Sequence, residues 1–93
     1  MKEKGIEKTI KEYLTSIGAY WIKIHGSSYT PSGIPDIIVC WKGKFFGIEV
    51  KRTGALNEQS EKQRIHERNI RKAGGVYILV DTLEDVKKEI YNE

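Results

Sequence analysis

Three charged residues, Asp36, Glu49 and Lys51, stand in the stretch GIPDIIVCWKGKFFGIEVKR (33–52), among aliphatic and aromatic side chains that folding tends to bury. Taking a charge out of water without a partner costs free energy, so their placement asks for a chemical reason. Side chains alternate across a strand, and in KFFGIEVKR this sets Phe46, Ile48 and Val50 on one face and Gly47, Glu49 and Lys51 on the other. A turn at Lys42–Gly43 makes the stretch a hairpin and brings Asp36 back towards Glu49 and Lys51. Two carboxylates in one place repel and hold protons more tightly. A divalent cation resolves that conflict, since Mg²⁺ is held by one or two carboxylates and completes its shell with water and phosphate oxygens. A nearby ammonium can orient or help to deprotonate water and stabilise charge on a phosphate. Together these groups suit hydrolysis of a phosphodiester. Taken singly, a Glu-x-Lys on a strand is more often an ion pair and an Asp after Pro more often a turn residue. The weight lies in the combination of Asp36 after Pro35, twelve intervening residues, Glu49, and Lys51 two further on.

The elements that must position these groups follow from periodicity and punctuation. Residues 3–17 read as a helix, with Ile6, Ile10, Tyr13, Leu14 and Ile17 at helical spacing and Gly18 as the stop. AYWIKIH (19–25) reads as a strand, GSSYTPSGIP as a loop, DIIVCW as a buried strand and KFFGIEVKR as its hairpin partner. A long polar helix follows, capped by Ser60 with Gln63 and closed by Gly74–Gly75. VYILV (76–80) is a short apolar strand that can return parallel through that helix. Thr82 with Asp85 caps a last helix carrying Leu83, Val86 and Ile90. The expected fold is α/β: a small mixed β-sheet with flanking helices, in the order αβββαβα, forming one domain over 1–93.

In this arrangement the chain resembles the virus-type replication-repair nuclease (VRR-NUC) family of the PD-(D/E)xK nuclease superfamily, in its small stand-alone form. The resemblance rests on SGIPDIIV, GIEVKR and SEKQRIHERNIRKAGG, that is Gly33, Pro35 and Asp36, then Glu49, Val50 and Lys51, then Ser60 and Gln63 with Gly74. It implies a restriction-endonuclease-like core and Mg²⁺ or Mn²⁺ held by Asp36 and Glu49, with Val50 and a first-helix glutamate contributing. Glu7 is the best match for that glutamate, because it shares the stripe of Ile10 and Leu14; Glu3 has the same phase but lies near the helix end. Lys51 would act on the attacking water and Gln63 would support it; Gln59 is the second choice for that glutamine. The family includes homodimers that act on branched DNA, which suits paired nicks across a four-way (Holliday) junction. It also associates such chains with DNA repair and with a phage or bacterial cytoplasm.

Composition sets the remaining limits. Charged residues make up 31% and hydrophobic residues 39%, with a net charge of +3. Residues 41–72 hold nine basic against four acidic residues, whereas the tail from Ala73 is acidic. Such a basic segment can attract a polyanion; it also fits a solvated surface with helical ion pairs such as Glu58–Lys62 and Glu67–Arg71. Ser27, Ser28 and Tyr29 in the loop, with Lys42, Lys44, Arg52, Arg64, Arg68 and Arg71, are candidate contacts to a nucleic-acid backbone. No apolar run approaches the ~20 residues that span a bilayer, and no secretory signal is visible, so a cytosolic protein is expected. The lone Cys40 lies in an apolar run and reads as a core residue; His25 and His66 lack metal-ligand spacing. A non-catalytic nucleic-acid-binding module or a docking domain are the rival readings, although a binder has no need of clustered carboxylates facing a polyanion.

Overall fold

In the computed structural model, which describes residues 1–91, the chain forms α1 (Glu3–Ser16), β1 (Tyr20–Lys23), β2 (Ile37–Trp41), β3 (Lys44–Val50), a single 3₁₀ turn (Leu56–Glu58), α2 (Glu61–Lys72), β4 (Val76–Val80) and α3 (Leu83–Tyr91). Asn92 and Glu93, the end of the expected domain, lie outside the described residues. The four strands make one sheet in the order β1-β2-β3-β4, antiparallel as far as β3 and parallel between β3 and β4. This is the small mixed α/β sheet with the expected element order. Among the described residues no helix is long and apolar enough to cross a membrane.

The two faces of the sheet differ sharply. Ile37 and Val39 of β2, Phe46, Ile48 and Val50 of β3, and Ile78 and Val80 of β4 meet Ile6, Ile10 and Leu14 of α1 and Val86 and Ile90 of α3. This single core holds nearly all of the buried apolar side chains. Among the described residues α2 is the one helix on the other face, with Gln63, His66, Glu67 and Ile70 half-buried at helical spacing. With one apolar residue in that stripe, α2 is held by polar contacts more than by burial. Such a helix brings polar groups to the sheet instead of sealing it.

Three sequence expectations are corrected here. Cys40 is exposed, not a core residue. The register pairs it with Tyr20 and Phe45, on the face opposite Val39 and outside the core; the continuous apolar run IIVCW hid that alternation. The strand expected over 19–25 stops at Lys23, after which only the Ile24 N–H still bonds to the Asp36 carbonyl before the chain enters the loop. Glu58 pairs with Arg52 at 2.7 Å and not with Lys62, because it sits in the 3₁₀ turn before α2 begins; the Glu67–Arg71 pair forms as expected, at 3.0 Å.

Candidate active site

The hairpin register puts Ile37 opposite Ile48, so Asp36 arrives beside Glu49 at the open end of the β2–β3 pair. Asp36 Oδ2 accepts the Val50 N–H at 2.7 Å, while Oδ1 lies 3.7 Å from the Lys23 ammonium. Two glycines make this approach possible. Gly47 has Pro35 and Ile70 lying directly over it; a Cβ there would come within 2.9 Å of the proline ring. Gly33 adopts φ +85° and packs on the first turn of α2, where a Cβ would fall 2.6 Å from the Lys62 carbonyl carbon. The loop before Asp36 is thereby pinned to the helix that carries Gln63.

Glu49 is only 3% exposed, the one charged residue buried among the described residues. Burial first, then the Asp36 carboxylate beside it, raises its pKa from the ordinary 4.5 to about 9, against a smaller lowering by Lys51. Its Oε2 accepts from Gln63 Nε2 at 3.1 Å. Its Oε1 is buried without any hydrogen-bond partner. The Gln63 amide is oriented by two donors on its oxygen, Lys51 Nζ at 3.0 Å and the Ser60 N–H at 2.8 Å. The Gln63 N–H in turn donates to Ser60 Oγ, closing the capping box of α2. One side chain thus caps the helix and joins Lys51 to Glu49, whose Oε2 lies 4.0 Å from Lys51 Nζ. Gln59 goes elsewhere, to Glu67 and the Tyr77 hydroxyl.

Glu7 points into the same region from α1, but its partner is Lys23, at 2.9 Å. Lys23 Nζ also lies 3.7 Å from Asp36 Oδ1. Sequence reasoning missed Lys23. The available signal was its phase: on β1 it shares a side with Trp21, which packs against the core, and a charged residue there needs a partner. Among the described residues no three carboxylate, histidine or cysteine groups converge closely enough to cage an ion. The assembled pair is Asp36 with Glu49, and Glu7 stands behind Lys23. A divalent ion fits that pair: the Asp36 carboxylate and an unpartnered buried Glu49 oxygen are the hard donors it takes, and its charge would offset the repulsion that raises Glu49.

The remaining expected residues surround this centre unevenly. Ser27, Ser28 and Tyr29 are exposed in the loop that precedes Asp36, with Ser27 Oγ bonded to Thr30 Oγ1 and to the Tyr29 N–H. A cleft lined by Ser27, Thr30, Ser32 and Gly33 opens onto Asp36. Arg64 and Arg68 lie with Arg71, Gln59 and Glu67 along a groove beside α2. Arg52 follows Lys51 and is paired with Glu58. Lys42 and Lys44 flank the hairpin turn, at the far end of the strands from Asp36, roughly 17 Å along five residues. Lys42 stacks over Trp41 there. His66 Nε2 contacts the Ser32 carbonyl.

No family model matches the sequence, and no curated protein matches it. A solved structure described as a VRR_NUC domain superposes with a TM-score of 0.79 at 27% identity, covering 98% of this chain and 96% of that one. The agreement in fold spans nearly the whole of both chains. Here it comes with the Pro-Asp, Glu-Val-Lys and Ser-x-x-Gln segments converging at one end of the sheet. The chain has the fold of that VRR_NUC domain, and this likeness supports the resemblance to the VRR-NUC family.

Proposed function

We propose that the protein is a divalent-metal-dependent endonuclease that hydrolyses DNA phosphodiesters and selects branched DNA such as four-way junctions. One observation carries the metal-dependent reading: Glu49 Oε1 is buried and unpartnered beside a second carboxylate, an arrangement that costs stability unless a cation is bound. Asp36 and Glu49 would hold Mg²⁺ or Mn²⁺, with the Val50 main-chain oxygen and Glu7 nearby as further direct or water-mediated ligands. When bound, the ion supplies an activated water and a counter-charge for the phosphate. Lys51, held by Gln63, presents its ammonium where it can orient that water and stabilise charge on the phosphate as the water oxygen bonds to phosphorus and the ester P–O bond breaks. Gln63 keeps Lys51 and Glu49 in register, and Ser60 keeps Gln63 in place.

The surroundings support DNA as the substrate. The loop of Ser27, Ser28 and Tyr29 and the arginines at 52, 64 and 68 would contact backbone phosphates near the cut, and Lys42 and Lys44 a more distant segment. A two-fold dimer would present two such centres. Support for it comes from the open face of β1–β3, where Tyr20, Ile22 and Phe45 are 68%, 47% and 42% exposed beside Cys40. The test is cleavage of a labelled four-way junction, beside flap and linear duplex controls, in Mg²⁺, Mn²⁺ or EDTA. Metal-dependent cuts placed symmetrically across the junction and lost in Lys51→Ala are expected. Binding without cleavage under every metal condition would overturn the reading in favour of a non-catalytic binding module.

A further inference from the structure

Lys23 has no role in the chemistry described so far, yet it occupies a demanding place. Its Nζ sits between Glu7 Oε1 at 2.9 Å and Asp36 Oδ1 at 3.7 Å. Both carboxylates are largely buried, with 14% and 26% of their side chains exposed. Nucleases that use two ions place them about 3.5–4 Å apart, and a shared carboxylate can bridge such a pair. In this site the carboxylate open to sharing is Asp36, and the outer acid for a second ion is Glu7. The ammonium stands between those two groups, within the range of a charge-assisted hydrogen bond to Glu7.

Charge points the same way. Glu7, Asp36 and ionised Glu49 against Lys23 and Lys51 leave one net negative charge. One divalent ion turns this to one net positive, which the single negative charge of a phosphodiester cancels. A second ion would leave an excess of two positive charges after the phosphate is counted. Resting on the metal-site reading above, we infer that Lys23 is a resident cation standing where a second divalent ion would bind, so that each chain loads one ion. It is a positioning residue: it holds Glu7 against Asp36 and leaves Asp36 and Glu49 to the metal.

The test counts Mn²⁺ bound to the DNA-free protein by calorimetric titration and records its electron paramagnetic resonance spectrum. Wild type should bind one ion per chain with the six-line spectrum of an isolated Mn²⁺. Lys23→Met, which keeps the stem and removes the charge, should bind two, with the broadened spectrum of a spin-coupled pair. Glu7→Gln added to Lys23→Met should return the count to one, and Lys23→Arg should keep it at one. A thermal melt of each variant checks folding, with Lys23→Gln in reserve if Lys23→Met does not fold. Two ions in wild type, or one in the folded Lys23→Met or Lys23→Gln protein, would overturn this inference and leave the Asp36–Glu49 site standing. No bound ion in wild type would overturn that site and this inference together.

Discussion

The clearest consequence of the buried glutamate is that removing its charge should strengthen the metal-free fold while destroying the site. Glu49 is protonated in the folded protein up to a pKa of about 9, whereas the unfolded chain releases that proton near 4.5. The folded state therefore binds more protons than the unfolded state between those values. Stability from this group is greatest at low pH and falls as pH rises through that window. At about 1.4 kcal/mol per pH unit, the penalty at pH 7 is about 3 kcal/mol. Glu49→Gln has the same shape, can still accept from Gln63, and carries no such penalty. The variant should match wild type near pH 4.5 and exceed it by about 3 kcal/mol at pH 7, a rise in melting temperature of roughly 10 °C or more for a chain of this size. Melts in EDTA across pH 4.5–8.5 give the comparison directly. Mn²⁺ should raise the melting temperature of wild type and leave Glu49→Gln unmoved. A variant less stable than wild type at pH 8, or a gain that does not grow with pH, would refute the reasoning.

Further outcomes follow from the same geometry. Ser60→Ala removes one half of the capping box and should cost about 1 kcal/mol in a denaturant titration with cleavage little changed. Gln63→Ala should cost a similar amount and also slow cleavage about tenfold or more in single-turnover assays, because it frees Lys51 and leaves Glu49 Oε2 without its donor. Gly33→Ala drives a Cβ into the α2 backbone at a positive φ and should lower stability by about 2 kcal/mol or more, read from the denaturation midpoint. Phe45→Asp places an unpaired charge on the open sheet face and should weaken a dimer at least ~100-fold in analytical ultracentrifugation, while an isolated chain should keep its fold by circular dichroism.

What was legible in the sequence was what depends on neighbours along the chain. The Ser60–Gln63 box and the bond from the Asp85 N–H to Thr82 Oγ1 are decided within one helical turn, and both are present. The hairpin at Lys42–Gly43 has its turn where the glycine placed it, and from the turn the meeting of Asp36 with Glu49 follows by counting along two strands. What was not legible depends on which face the rest of the fold covers. Cys40 sits in a run as apolar as its neighbours, and only the absence of a helix over β1 and the edge of β2 exposes it. Lys23 gains its partner only when α1 brings Glu7 across to β1. Glu58 was a helical partner for Lys62 only if α2 began earlier than it does. The first two misses turn on tertiary packing that local spacing does not specify, and the third on where a helix begins.

In the proposed mechanism Asp36 and Glu49 lie side by side because a divalent ion belongs between them. Crystals soaked in Mn²⁺ and measured at its absorption edge test this most directly. An anomalous peak within about 2.2 Å of Asp36 Oδ1 and Glu49 Oε1 is expected, with Lys23 still on Glu7. An empty site at high Mn²⁺, or a peak elsewhere with Glu49 Oε1 still unpartnered, would contradict it.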